Sequence, residues 1–95
     1  MLMHLVCFKY KPDVIEARRD EHRDRLSTLA DIPGIVSLRV GRDVVQSARS
    51  YDTGLAVEFT DRAALDAYQK NPLHVPVAQF GASLCDSIVS ADFEL

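Results

Sequence analysis

Apolar and polar positions divide the chain into six segments of two kinds. Residues 3–10 are rich in Val, Leu, Phe and Tyr and predict a strand. His4, Val6, Phe8 and Tyr10 fall on one side of it, and Met3, Leu5 and Cys7 on the other. Pro12 and Asp13 break this strand and open a helix over 14–30. Ile15, His22, Leu26 and Leu29 share one face of that helix at helical spacing. The rest of it, Glu16 through Arg25, is a run of charges. Glu16/Arg19, Arg18/Glu21, Asp20/Arg23 and Glu21/Arg25 are three or four apart and can pair along a solvated surface. His22 sits within the run and is expected to be partly exposed.

Ile32-Pro33-Gly34 ends the helix, since glycine permits a left-handed cap and proline cannot continue the ladder. Residues 35–45 predict a second strand. Val36, Leu38 and Val40 alternate there with Ser37, Arg39 and Gly41, a half-polar pattern that suits a sheet edge. Residues 46–52 are polar and read as a loop. Residues 53–59 predict a third strand with Leu55, Val57 and Phe59 on one face. Thr60 or Asp61 caps a second helix that carries Leu65 and Tyr68 and stops at Asn71-Pro72. Residues 73–83 read as a turn with one short helix, Val75 to Leu84. Residues 86–94 predict the last strand, with Val89, Ala91 and Phe93 alternating against Ile88, Ser90 and Asp92.

The order β-α-β-β-α-β predicts an α+β class chain: a single ferredoxin-like domain over residues 1–95. Right-handed crossovers put the helices on one face of a four-stranded antiparallel sheet. The first strand is apolar on both sides, and helices can cover only one of them. An uncovered apolar sheet face is rarely left wet. The expected solution is a homodimer packed sheet on sheet.

Net charge is −3, from 14 acidic and 11 basic residues, so no basic excess is present to neutralise phosphates. Nucleic-acid binding is therefore not expected. No apolar run reaches the roughly 18 residues of a membrane span. The N-terminus lacks the basic start of a signal peptide, and its apolar stretch contains His4. The two cysteines, Cys7 and Cys85, lie in apolar segments and read as reduced core thiols of a cytoplasmic protein.

Glycines 34, 41, 54 and 81 form no phosphate-binding pattern, and no CxxC or HxxxH pair suggests zinc. Neither cysteine has a His or Lys beside it in sequence to favour the thiolate. Three histidines and three tyrosines remain. His4 sits among Leu and Val on a strand, where an imidazole needs a partner. His74 lies in Asn71-Pro72-Leu73-His74-Val75-Pro76, held stiff by its prolines, six residues after Tyr68. On spacing alone the favoured reading of these histidines is structural, as groups bonded to backbone.

Taken in order, several segments resemble the stress-responsive α/β-barrel (Dabb) family. They are His4 to Lys11, with its Lys-aromatic-Lys close; Ile32-Pro33-Gly34-Ile35 through Val40-Gly41-Arg42-Asp43; and Tyr51-Asp52 to Glu58-Phe59. Ala64-Leu65 to Tyr68, Asn71-Pro72-Leu73-His74 and Val89 to Glu94 complete the set. The resemblance implies a ferredoxin-like subunit in a dimeric α/β barrel, in agreement with the two apolar faces of the first strand. It implies less about activity. A polyketide-cyclase branch performs a cofactor-free intramolecular aldol condensation, and its site residues map onto His4, Tyr68 and His74 as catalytic candidates. Asn71 departs from that branch, whose motif often begins with His.

Two functions are compatible with these residues. One is a cofactor-independent acid–base enzyme for apolar carbonyl compounds, with His74 as base, Tyr68 as donor to an oxyanion and His4 as partner or second acid. Cofactor-free monooxygenation of electron-rich aromatics is a variant of it by fold analogy. The other is a non-catalytic stress or binding protein whose dimer is the functional unit. An open pocket favours the first and a filled interior the second.

Overall fold

The computed structural model describes residues 1–95. Its elements are β1 (Leu2–Tyr10), α1 (Glu16–Ser27), β2 (Ile35–Arg42), β3 (Thr53–Phe59), α2 (Arg62–Lys70), α3 (His74–Leu84) and β4 (Cys85–Glu94). The strands form one antiparallel sheet in the order β2-β3-β1-β4. The two outer strands, β2 and β4, are joined to the inner pair by helical segments that return across the same face. This is the ferredoxin-like arrangement.

Alternation on β1 and β3 builds the floor of the core. Leu2, Val6 and Phe8 lie beside Leu55, Val57 and Phe59 on the covered face. The helices close over them with Leu26, Leu65, Tyr68 and Val77. Burying a side chain of this size is worth about 1.5–3 kcal/mol, so this layer provides the main cohesion of the subunit. The opposite face carries Met3, Leu5 and Cys7 of β1, with Ala91, Val89 and Phe93 opposite them or nearby on β4. Phe93 and Val89 are exposed in the single chain.

Local signals account for most element ends. Asp61 is the N-cap of α2, and its carboxylate accepts the Ala64 N–H at 2.9 Å. Gly34 has φ +92°, and a Cβ there would stand 2.6 Å from the Ala64 Cβ. The turn therefore needs glycine both for its backbone and for the close approach of α2.

Several sequence expectations are corrected. The first helix is α-helical only over Glu16–Ser27 and tightens into a 3₁₀ turn at Thr28–Asp31. Ile15 is its N-cap and is 64% exposed, so it does not join Leu26 on the buried face. His22 is 0% exposed, not partly exposed, because β1 and α3 both bear on it. Three of the four surface ion pairs form, but Glu16 pairs with Arg23 in place of Arg19. Arg19 turns back to the Val14 carbonyl and the Asp52 carboxylate.

On β2 the register shifts between Ile35 and Ser37, leaving Val36 over. The bulge turns Val36 to solvent and leaves Ile35, Leu38 and Val40 against the core. That strand ends at Arg42, and Val44 and Val45 stand exposed in the hairpin loop. The short helix extends over all of His74–Leu84, with Pro76 in the first turn, where its missing N–H costs nothing. The thiols are also not both core groups. Cys7 is exposed on the open face and Cys85 is half-buried, and both are free.

Candidate functional site

A cavity of about 210 Å³ lies between the sheet and the helices. His4, Tyr68 and His74 all line it, so the fold brings together the three residues singled out in the sequence. Phe8, His22 and Leu26 line its inner part, and all three are buried. Gln69 of α2, Ala78 of α3, and Ile88 and Ser90 of β4 line it too and are exposed, which puts the mouth along the β4 edge. An apolar cavity of about 150 Å³ admits benzene, so this one suits a substituted single ring or a short branched chain.

Strand alternation directs His4 inward, and β4 supplies its partner. His4 lies opposite Asp92 in the β1–β4 register, and its Nδ1 is hydrogen-bonded to the Asp92 carboxylate. That bond fixes the ring and leaves Nε2 as its free nitrogen. The sequence reading missed this role for Asp92. The signal was present only as two inward positions on strands whose pairing was not yet known.

Tyr68 comes from the last turn of α2 and is 1% exposed. Its ring packs against His74 at 4.1 Å between centroids, Phe59 at 5.1 Å and His4 at 6.2 Å. Burial pushes its hydroxyl up to about 12, so it remains a neutral O–H donor. His74 opens α3. Asn71, the departure from the motif, builds the turn that places it. The Asn71 side-chain oxygen accepts the Leu73 N–H at 2.8 Å, and its carbonyl accepts the His74 N–H at 2.9 Å. Burial lowers the His74 pKa, opposed by the Gln69 backbone and reinforced by His4. The ring is therefore neutral near pH 7 and able to accept a proton.

The Tyr68 hydroxyl and His74 Nδ1 are buried and have no hydrogen-bond partner in the protein. Buried polar groups are nearly always paired. Both atoms belong to residues that line the cavity, on rings tilted 37° to one another.

His22 is a fourth imidazole at the cavity, and the sequence reading set it aside. Its Nδ1 meets the Tyr10 hydroxyl at 2.6 Å, and that hydroxyl meets Thr53 Oγ1 at 2.9 Å. Burial, then the nearby Arg23 charge, lower its pKa to about 4. The thiols have no comparable chemistry. Burial, then Asp52 and Asp86, raise Cys85 to about 11, away from the thiolate form. No three His, Cys, Asp or Glu side chains stand together as a metal-binding group.

Comparison with known proteins identifies the family and the fold that carry these residues. The stress-responsive A/B barrel domain matches residues 2–95. The chain belongs to the stress-responsive A/B barrel (Dabb) family. A protein from Jannaschia sp. CCS1, described as a dimeric ferredoxin-like protein of unknown function, is 34% identical. It aligns over 99% of this chain and 98% of its own, with a TM-score of 0.82. A second dimeric ferredoxin-like protein of unknown function, from Thermobifida fusca YX, is 24% identical. The match covers 99% of this chain and 90% of that one, with a TM-score of 0.91. A hydroxynitrile lyase from Passiflora edulis shares the fold at 18% identity and a TM-score of 0.88, over 99% of this chain and 92% of its own. Among curated proteins none matches the sequence. No helix of this Dabb chain is long and apolar enough to cross a membrane.

Proposed function

We propose that this Dabb protein is a cofactor-independent acid–base enzyme acting on compact, mostly apolar carbonyl compounds. The observation that carries the reading is the pair of buried, unpartnered polar atoms, Tyr68 Oη and His74 Nδ1, beside an Asp92-held His4 in one cavity. A carbonyl oxygen placed against the Tyr68 hydroxyl gains a hydrogen bond that strengthens as negative charge builds on it. The neutral His74 ring takes a proton from the carbon next to that carbonyl, leaving an enolate and an imidazolium. The enolate then attacks a second carbonyl within the same molecule or recovers a proton, and His74 returns its proton to the oxygen or carbon formed. His4 is the second acid, and Asp92 is its positioning residue.

The working unit in this reading is a homodimer joined through the open sheet face. The apolar positions Met3, Leu5 and Ala91 on that face support it, as do the dimeric relatives. The free thiols Cys7 and Cys85 fit a reducing, cytoplasmic setting.

The test is hydrogen–deuterium exchange at the α-carbon of a panel of small aryl and alkyl ketones, followed by NMR. Exchange above the buffer rate is expected. Tyr68→Phe, which removes one oxygen, should slow it on the order of 100-fold. His74→Ala should reduce it to background. Unchanged exchange in both variants, or no exchange by the parent protein, refutes the reading. The fold shared with a hydroxynitrile lyase suggests a second reaction for the same groups, in which His74 takes the hydroxyl proton of a hydroxynitrile, the carbon–carbon bond to the nitrile breaks to leave a carbonyl compound, and the departing cyanide takes up that proton. An aromatic hydroxynitrile in the panel separates the two.

A further inference from the structure

His4 is held so that one of its nitrogens is engaged and the other is open. Its Nδ1 is hydrogen-bonded to the Asp92 carboxylate. An ionised carboxylate only accepts, so Nδ1 carries the hydrogen of that bond. In the neutral ring Nε2 is then a bare lone pair, an acceptor with no hydrogen of its own. Turning the ring over to exchange the two nitrogens would give up the Asp92 bond. Phe59 and Tyr68 also flank the ring, each with centroids 6.2 Å away and planes inclined to it at 57° and 69°.

That nitrogen is reachable. No group of the protein bonds it, and it is not closed off from solvent, in contrast to His22 Nε2 behind Gly81. His4 is 7% exposed, and it lines the cavity but not the outer groove where Asp92 stands beside Arg62 and Asp66. Its open edge therefore looks into the cavity, while its carboxylate partner faces the other side of the wall. No Lys, Arg, Asp or Glu lines the cavity, so a charged ligand finds no opposite charge there. An imidazole kept for structure alone gains nothing from an open lone pair. We propose that the His4–Asp92 pair makes this cavity selective for neutral ligands that carry a hydroxyl, whose hydrogen His4 Nε2 accepts.

In naming a substrate class this inference rests on the carbonyl reading, which it narrows. Tyr68 donates to one oxygen of the substrate, and His4 accepts from a second oxygen that bears hydrogen. Hydroxy-substituted ketones and aldehydes, and the enols of β-dicarbonyl compounds, offer both kinds of oxygen. Ethers and simple ketones offer acceptors only. A ligand that covers the Nε2 lone pair with an ether oxygen or a methyl group leaves it desolvated and unpaired, and that penalty produces the selection. Where the hydroxyl proton passes to Nε2, it is the proton that His4 gives back as the second acid.

Para-cresol and anisole test the inference without calling on the reaction. They are isomers of similar apolarity, and only para-cresol has an O–H. NMR titration of the whole chain at about pH 8, where a phenol is still un-ionised, should show para-cresol bound on the order of tenfold more tightly. His4→Leu and Asp92→Leu should each remove that preference. Nitrogen-15 spectra of labelled histidine should show His4 protonated on Nδ1 alone, with its Nε2 signal shifting when para-cresol binds. Equal affinities in the parent protein, binding of neither probe, or a ring with hydrogen on Nε2 overturns this inference and leaves the carbonyl reading to the ketone exchange experiment. A para-cresol preference without ketone exchange supports the hydroxyl recognition and refutes the carbonyl reading alone. The parent ratio and the tautomer decide the matter even where a variant does not fold.

Discussion

Replacing Gly81 by alanine tests how tightly His22 is held. In most exposed helix interiors this change stabilises a protein by about 1 kcal/mol, because glycine has more backbone freedom to lose. Here the new methyl would lie 2.6 Å from His22 Nε2, 3.3 Å from Cε1 and 3.4 Å from Cδ2. The ring cannot simply retreat, since Tyr10 binds its far side at 2.6 Å and Phe8 packs on it edge-on. Overpacking of this kind costs about 1–3 kcal/mol. Losing the Tyr10 bond to relieve it costs about 1–3 kcal/mol more if both groups remain buried and unpaired. The cost outweighs the propensity gain, and Gly81→Ala should destabilise the protein by about 1–5 kcal/mol. Urea melts at one fixed protein concentration measure this. In a His22→Ala background the obstacle is gone, and Gly81→Ala should then be neutral or stabilising. A stabilising effect in the parent protein, or the same effect in both backgrounds, would show that α3 does not bear on the ring as described.

Two further predictions concern acid stability and assembly. His22 has a folded pKa of about 4 against 6.5 for the free side chain. Between those values the unfolded chain binds a proton that the folded chain refuses, so stability is complete above 6.5 and falls as pH drops toward 4. The loss amounts to about 3 kcal/mol, and the lowered His74 pKa adds to it in the same direction. His22→Leu should flatten that slope in denaturant melts, and an unchanged slope would place the sensitivity elsewhere. Leu5→Asp puts a carboxylate in the middle of the open sheet face, where burial in a seam costs several kcal/mol. Analytical ultracentrifugation should show monomers at micromolar concentration, whereas a dimer unaffected by the change would exclude this face as the seam.

The parts of the molecule legible in sequence are those whose signal is local and periodic. Leu55, Val57 and Phe59 alternate without interruption, and all three are buried as their spacing predicts. Asp61 precedes a helical pattern and caps it. The misread parts depend on partners distant in sequence. His22 sits in a run of charged neighbours that argues for a wet surface. Its burial comes from Tyr10, Phe8 and Gly81, at separations of 12, 14 and 59 residues by number. Val36 alternated correctly on paper, but one extra residue in β2 turned it outward. His4, Tyr68 and His74 could be named from motif resemblance, yet their meeting depends on α2 and α3 folding back over β1. Asp92 acquires its meaning only from the β1–β4 register.

Strand β1 serves two surfaces at once. His4 faces the cavity, while its neighbours Met3 and Leu5 face the open side of the sheet. Shifting this strand by a single residue would carry the imidazole onto the open sheet face and a thioether into the pocket. Under the proposed function, ligand preference and self-association are encoded in alternate letters of the same short word, and neither can drift far without disturbing the other. Diversification of ligand choice within such a scaffold should accordingly concentrate on α1, α3 and β4, whose residues meet the cavity without also forming the middle of the sheet.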